Sequence, residues 1–217
     1  YPMVPGHEII GVVKEVGSDV TKFKVGDNVG VGVYVDACEK CENCNSGKDH
    51  YCEEGIVLTY NSYEYGTRNI TYGGYSKSIV VKENYVIKVP SDMDMAKAAP
   101  LLCAGITTYS PLRHFKINSN HKVGIAGLGG LGHMGLKFAS SFGADVVVFS
   151  TSDSKKDEAF EMGANHFVNV NNREDVKKHL NSCDYILDTV SANRDMAQVF
   201  SFLKTDGIIM LVGLPME

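Results

Sequence analysis

The sequence predicts an α/β protein in which an all-β module precedes a doubly wound parallel sheet. Two observations support this prediction. The first hundred residues contain short apolar runs separated by glycine turns, which is typical of β strands. After His121, such runs alternate with segments of helix length, which is typical of parallel β-α-β units. We expect the two domains to span residues 1–103 and 104–217.

The strands of the first module are predicted from runs rich in branched and aromatic side chains. They are Ile9–Val13, Val29–Val35, Ile56–Tyr60, Ser78–Val81 and Val86–Val89. Two helices are expected next, from Asp92 to Leu102 and from Ala104 to Phe115. Pro111 is expected to interrupt the second helix, because proline has no backbone N–H to donate.

The second module shows a regular alternation of strands and helices. Its predicted strands are Val123–Ala126, Val146–Phe149, His166–Val170, Tyr185–Asp188 and Ile208–Val212, and its predicted helices are Leu131–Phe142, Lys155–Met162, Arg173–Leu180 and Met196–Leu203. A complete dinucleotide-binding fold has six strands. We therefore expect this module to lack its last strand.

The first strand of the second module runs directly into a glycine turn and a helix. The pattern is Gly127-x-Gly129-x-x-Gly132. In a dinucleotide site the first glycine permits a tight turn, the second admits the pyrophosphate and the third lets the helix pack on the strand. The pattern predicts cofactor contacts at Gly127, Gly129, Gly130, Leu131 and Gly132. The alternative is an ordinary strand-to-helix turn.

The end of the second strand predicts which nicotinamide cofactor binds. An NAD site places a carboxylate there to hold the ribose diol. Here the strand ends in Ser150-Thr151-Ser152, and Asp145 lies at its opposite end. The three hydroxyls, with Lys155 or Lys156, could bind the 2′-phosphate of NADP. The alternative is a capped helix start with two solvated lysines.

Four further positions follow from the rule that ligands bind beyond the carboxyl ends of parallel strands. Thr189 and Val190 follow the fourth strand, and Gly213 and Leu214 follow the fifth. We expect their backbone groups to line the nicotinamide side of the cofactor. His133 is assigned to helix packing.

A cysteine cluster forms the most specific motif. Its spacing is Cys38-x2-Cys41-x2-Cys44-x7-Cys52. Four thiolates can complete a tetrahedral zinc shell, and such closed shells are structural. Disulfides and chance clustering are the alternatives. Zinc thiolates together with a dinucleotide site indicate a reducing compartment, so we expect a cytoplasmic protein.

The bulk composition disfavours two classes of partner. The formal net charge is −5 and there is no basic run, which argues against nucleic acid. No apolar segment is long enough to span a bilayer, which argues against a membrane partner.

Several motifs together resemble the zinc-dependent medium-chain alcohol dehydrogenases, and most closely their cinnamyl-alcohol-dehydrogenase-like branch. They are Gly6-His7-Glu8, the four-cysteine motif, Gly73-Gly74-Tyr75, Leu101–Thr107, Gly127–Gly135 and Val212–Pro215. The resemblance covers essentially the whole chain, in the family's order. It implies a partial GroES-like catalytic domain followed by a Rossmann domain.

The resemblance also implies a second, catalytic zinc. His7 and Cys103 would be two of its ligands, and Glu8 would be the neighbouring carboxylate that tunes the metal. Thr107 would lie near the cofactor, and the branch uses a similar serine- and lysine-containing turn for NADP. The implied substrate is a primary alcohol or aldehyde, and the implied assembly is a homo-oligomer, with a dimer favoured.

The family's third zinc ligand, a cysteine, would come from a segment before Tyr1, together with the Ser or Thr that starts the proton relay. The family's chain would also continue past Glu217. We therefore expect an internal fragment of a longer enzyme. Two alternatives are an NAD-dependent or polyol-type dehydrogenase and a non-catalytic fragment that binds zinc and nucleotide.

Overall fold

The computed structural model describes residues 2–214 and forms two compact units, residues 1–103 and 104–217. Unit 1 holds β1 (Ile9–Val12), β2 (Asn28–Val31), β3 (Tyr34–Ala37), β4 (Ile56–Leu58) and β5 (Val86–Lys88). β1, β2 and β5 form an antiparallel sheet in the order β1-β2-β5, and β3 pairs with β4. This unit is the expected all-β module.

The helical segments of unit 1 are short. They are α1 (Glu42–Asn45), α2 (Met95–Ala98) and 3₁₀ turns at Asp49–Tyr51, Glu83–Tyr85 and Ala99–Leu102. Asp94 caps α2, because its carboxylate accepts hydrogen bonds from the backbone N–H groups of Ala96 and Lys97. The expected helix over 92–102 therefore begins only at Met95, with four residues of α-helix followed by four of 3₁₀ turn.

Two strand predictions in unit 1 were wrong in detail. The run Val29–Val35 splits into β2 and β3 at Gly32 and Val33. Ser78–Val81 forms no strand, and Val80 is fully exposed. Apolar, branched residues favour a strand only where a neighbouring strand completes the hydrogen-bond ladder, and among residues 2–214 none pairs with this segment.

Unit 2 alternates strands and helices throughout. Its elements are α3 (Ala104–His114), β6 (Lys122–Ala126), α4 (Gly130–Ser141), β7 (Asp145–Ser150), a 3₁₀ turn (Asp153–Lys155), α5 (Lys156–Glu161), β8 (His166–Asn169), α6 (Arg173–Lys178), β9 (Cys183–Asp188), α7 (Met196–Phe200) and β10 (Leu203–Leu211). The five strands are parallel, in the order β10-β9-β6-β7-β8. The order reverses between β6 and β9, which is where such folds bind nucleotides.

The central strands of the sheet in unit 2 are buried on both faces. Val146 and Val148 pack on one face against Leu136 of α4, while Val147 and Phe149 pack on the other. The Phe149 ring stacks on that of Phe202 with a centroid separation of 4.2 Å. This explains why the strands are continuous apolar runs, as is typical of parallel sheets.

Two predictions in unit 2 were wrong. Pro111 does not interrupt α3, because the N–H of Phe115 still donates to the Pro111 carbonyl at 3.1 Å and the helix loses only the hydrogen bond of the proline itself. Leu203 begins β10 and does not end α7, since it pairs with Cys183 of β9. Within residues 2–214, no helix is both long enough and apolar enough to cross a bilayer.

Candidate active site

The four cysteines of the motif converge in one half-buried lobe. Their sulfur atoms all lie within 4.8 Å of one another, and none is in a disulfide. The Sγ atoms of Cys38 and Cys44 are 3.9 Å apart. A tetrahedral shell with Zn–S bonds of about 2.3 Å needs sulfur separations of about 3.8 Å. The lobe therefore fits a zinc ion.

Backbone groups and burial shape the charge of this lobe. Backbone N–H groups of Glu53 and Cys44 lower the pKa of Cys41 to about 6. Burial raises the pKa of Cys44 to about 12, and the neighbouring thiols add to this shift. One thiol therefore ionises readily, but the set carries four negative charges only when a cation compensates them. Tyr65 closes the lobe, since its hydroxyl donates to the Gly55 carbonyl at 2.6 Å.

His7 is held by a turn that glycine residues make possible. Gly6 has φ +107°, a conformation that other residues rarely adopt. The N–H groups of Gly73 and Gly74 donate to the carbonyls of Val4 and Gly6 at 2.7 and 3.0 Å. A Cβ atom on Gly73 would contact the Gly6 carbonyl oxygen and lie 2.8 Å from the Pro5 carbonyl. The Gly73-Gly74 segment therefore positions the turn that presents His7.

The His7 turn opens onto a cleft of about 570 Å³ in unit 1. Its lining includes Glu8, Tyr60, Tyr75, Met95 and Ala99. The imidazole of His7 is nearly parallel to the Tyr60 ring, at 18° and a centroid separation of 5.9 Å. The cleft therefore combines an imidazole, a carboxylate and apolar walls.

Cys103 lies directly after the 3₁₀ turn Ala99–Leu102 and is half-buried. Within residues 2–214, no group of three ligand side chains other than the four cysteines has donor atoms within 4.8 Å of one another. His7, Glu8 and Cys103 are therefore not gathered as tightly as the cysteine lobe.

We expect Gly73→Ala to destabilise unit 1 by about 2 kcal/mol, because the new methyl group forces the Gly6 turn to move. Urea denaturation measures this loss. The matched control is Gly17→Ala, where the Cβ atom would meet no other described residue within 4 Å. Equal stability of the two variants would contradict the positioning role of Gly73.

The glycines in the turn of unit 2 are of two kinds, which differ in whether a Cβ atom would collide with the protein. Gly127 has φ +83°, and a Cβ atom there would lie 2.7 Å from Val190 Cγ2. A Cβ atom on Gly132 would contact the Gly127 carbonyl oxygen. The protein's own packing therefore requires glycine at both positions.

The packing of the protein does not require glycine at positions 129 and 130. A Cβ atom at either position would meet no other part of residues 2–214 within 4 Å, and both glycines are exposed. Gly129 caps α4 without a side-chain hydrogen bond, so the helix N–H groups face outward. The open space at this helix N-terminus, beside Leu131, fits a pyrophosphate.

The hydroxyl run at the carboxyl end of β7 lies close to the glycine turn. Phe149 pairs with Ala126 in the sheet, so Ser150 and Gly127 follow at neighbouring positions. The ammonium group of Lys155 donates to the Leu128 carbonyl at 2.7 Å. Thr151 and Ser152 are exposed, and the strand ends without a carboxylate.

Asp145 lies at the amino end of β7, where its carboxylate contacts His166 Nε2 at 3.1 Å and Lys122 Nζ at 3.4 Å. It therefore plays no part at the ribose end of the strand.

The structure also brings together the predicted positions after β9 and β10. The Thr189 hydroxyl donates to the Ala126 carbonyl at 2.8 Å, which ties it to the end of β6. A Cβ atom on Gly213 would collide with the Val190 backbone, so these two segments pack directly. Leu214 is exposed beside them. Thr107 is half-buried in α3.

Sequence reasoning missed Asp188 and assigned His133 to helix packing alone. Asp188 is buried, accepts a hydrogen bond from the N–H of Val190 at 3.1 Å and contacts the Arg194 guanidinium. The sequence signal for Asp188 was its position at the end of the predicted strand Tyr185–Asp188. His133 contacts the Gly129 carbonyl and the Glu158 carboxylate, which its helical position alone did not indicate.

Comparisons with known proteins agree with both units. Residues 1–91 match the alcohol dehydrogenase GroES-like domain and residues 130–217 match the zinc-binding dehydrogenase family. The chain is 52% identical to NADP-dependent alcohol dehydrogenase C 1 of Mycolicibacterium smegmatis, over 99% of this chain and 62% of that protein.

Two solved structures are similar over nearly the whole chain. A cinnamyl alcohol dehydrogenase of Sorghum bicolor, SbCAD4, superposes with a TM-score of 0.96 at 44% identity, covering 99% of this chain and 62% of that one. The cinnamyl alcohol dehydrogenase of Helicobacter pylori complexed with NADP(H) gives 0.93 at 44%, covering 99% and 60%. The chain thus spans about three fifths of the length of these proteins.

A GroES-like unit with a cysteine lobe, joined to a Rossmann-type unit, defines a zinc-binding dehydrogenase. The chain belongs to the zinc-dependent medium-chain alcohol dehydrogenases, in their cinnamyl-alcohol-dehydrogenase-like branch. The predicted fold class and family are confirmed.

Proposed function

We propose that this protein is an NADP-dependent, zinc-dependent alcohol dehydrogenase that interconverts primary alcohols and aldehydes. One observation supports the proposal most directly. The same chain contains the His7 cleft and the glycine turn Gly127–Gly132, and β7 beside that turn ends without a carboxylate. Relatives named as NADP-dependent alcohol dehydrogenases, and an NADP(H) complex of a similar structure, support it.

When bound, zinc would act as a Lewis acid on the substrate oxygen, and the nicotinamide would carry the hydride. His7 and Cys103 hold the metal in this proposal, and Glu8 tunes its charge from the neighbouring position. The stack on Tyr60 fixes the plane of the His7 imidazole. The apolar wall of Met95 and Ala99 excludes water from the cleft.

The cofactor is oriented by unit 2. The N–H groups at the start of α4 bind the pyrophosphate, and Gly127 and Gly132 keep that helix end close to the strand. The hydroxyls of the Ser150–Ser152 segment and the Lys155 ammonium bind the 2′-phosphate. Because β7 ends in Ser150, the phosphate does not meet the carboxylate that an NAD site places at this strand end.

The proposal includes two further expectations, the first from the zinc thiolates and the dinucleotide site and the second from the family resemblance. The protein is cytoplasmic, and it assembles as a homo-oligomer, with a dimer favoured. The oligomeric state is measured by light scattering of the purified protein.

Metal analysis tests the catalytic zinc. On protein whose ends are verified by intact mass, we expect about two zinc ions per chain, one in the cysteine lobe and one held by His7 and Cys103. Cys103→Ala should remove only the second ion. Cys183→Ala is the matched control, because Cys183 is buried in unit 2 and belongs to neither site. A single zinc that is insensitive to Cys103 would contradict the proposal.

A further inference from the structure

We propose that the pair formed by His133 and Glu158 sets the preference for NADPH over NADH without touching the nucleotide. The pair holds the 2′-phosphate segment at a fixed distance from the glycine turn. This inference rests on the proposed function, since it requires a cofactor that carries a 2′-phosphate.

His133 lies in the first turn of α4 and makes two contacts with its ring. Its Nδ1 atom is 2.6 Å from the Gly129 carbonyl oxygen, and its Nε2 atom is 3.0 Å from Glu158 Oε1. Gly129 is the N-cap of α4 and borders the open space assigned to the pyrophosphate, and Glu158 lies in α5. One side chain therefore bridges the pyrophosphate turn and the helix that follows the hydroxyl run.

Both partners of the ring are hydrogen-bond acceptors. A backbone carbonyl and a carboxylate each require a hydrogen on the facing ring nitrogen. A singly protonated ring donates only one of these two hydrogen bonds, and a doubly protonated ring donates both. The hydrogen bond to the Glu158 carboxylate involves an ionised acceptor, and such bonds are stronger and geometrically stricter than neutral ones.

A second link ties the same two segments. The Lys155 ammonium donates to the Leu128 carbonyl at 2.7 Å, directly next to Gly129. Lys155 ends the 3₁₀ turn that leads into α5, three residues before Glu158. The His133–Glu158 pair therefore fixes the beginning of α5, and with it the position from which Lys155 reaches a 2′-phosphate. NADH has no group at that position and does not sense its placement.

The exposure of the His133 and Glu158 side chains distinguishes a role in placing the phosphate from a contribution to folding stability. The side chains of His133 and Glu158 are 29% and 51% exposed. Ion pairs with such exposure contribute little to folding stability. Their effect should therefore be seen in the placement of a bound phosphate and hardly in the unfolding transition.

The experiment measures the dissociation constants of NADPH and NADH by calorimetry on the 217-residue chain and its variants. We expect His133→Leu and Glu158→Gln each to weaken NADPH binding about fivefold and NADH binding by less than about twofold. Combining the two changes should add little to either one, because His133→Leu removes and Glu158→Gln weakens the same contact. Glu158→Gln is a surface change that leaves the fold intact.

Two conservative variants identify the contact that matters. His133→Gln places its amide N–H near the position of Nε2, so it should restore most of the NADPH preference through Glu158. His133→Asn places its N–H near Nδ1, so it should behave like His133→Leu. His166→Leu is the matched control, because it breaks a similar histidine–carboxylate pair at the amino end of the same sheet.

An unchanged ratio of NADPH to NADH affinity in both His133→Leu and Glu158→Gln would overturn the inference. An equal loss for both nucleotides would also overturn it, because it would assign the pair to general support of the glycine turn. A wild-type chain that binds NADH as tightly as NADPH would instead overturn the proposed function. The two failures are therefore distinguishable.

Discussion

Gly132→Ala is expected to weaken NADPH binding by roughly 10- to 100-fold, which is the cost of forcing one extra methyl group into a packed site. The Cβ atom would contact the Gly127 carbonyl oxygen and lie 2.9 Å from its carbon. Because both partners are backbone, α4 must move away from β6, and the phosphate cradle opens. Calorimetric titration with NADPH measures the loss, and thermal unfolding should show a parallel drop in stability.

Gly129→Ala separates packing from ligand contact in the same turn. Among the described residues, no atom beyond the adjoining chain lies within 4 Å of the added Cβ, and the φ of −90° suits alanine, so the free chain should be as stable as the wild type. Binding of NADPH should still weaken, because the methyl group occupies the space assigned to the pyrophosphate. If Gly129→Ala binds NADPH as tightly as the wild type, the assignment of the pyrophosphate to this position is wrong.

Cys44→Ser is expected to abolish zinc binding in the cysteine lobe. Structural zinc in small domains contributes on the order of 10 kcal/mol of binding energy, far more than the short helices of this segment can replace. We expect the 38–52 segment to become sensitive to protease, and chelation of the wild type to produce the same cleavage. Limited proteolysis followed by mass spectrometry measures it.

The control for this change is Cys183→Ala, which removes a buried thiol remote in sequence from the lobe. It should retain the zinc and the protease resistance of the lobe. Zinc retained in Cys44→Ser would contradict the four-sulfur site.

Patterns that depend on local chemistry were predicted well from the sequence. The four cysteines converge because their spacing lies within one short loop. The central strands β6, β7 and β9 are predicted within two residues of their bounds because their apolar runs are buried on both faces. Ser150 ends β7 as expected, since it is the first polar residue after that run.

Features that depend on distant partners were not predicted. Val80 has the sequence of a strand residue but no neighbouring strand among the described residues. Leu203 has the sequence of a helix residue, yet pairing with Cys183 places it in β10. The contact of His133 with Glu158 joins residues 25 positions apart, and no single-helix pattern specifies it.

The role of Gly73 could likewise not be derived from local sequence. Its backbone packs against Val4 and Gly6 across nearly seventy residues of intervening chain. Only the family resemblance marked the Gly73-Gly74 pair in advance, without giving its physical reason.

The most direct test of the central claim is the oxidation of NADPH by a primary aldehyde, followed by the loss of reduced-nicotinamide absorbance with zinc-loaded protein. We predict turnover that stops in His7→Ala and persists in His166→Leu, with NADPH used in preference to NADH. Tight NADPH binding without any aldehyde-dependent oxidation would contradict the account, and would make the chain a zinc- and nucleotide-binding protein without catalysis.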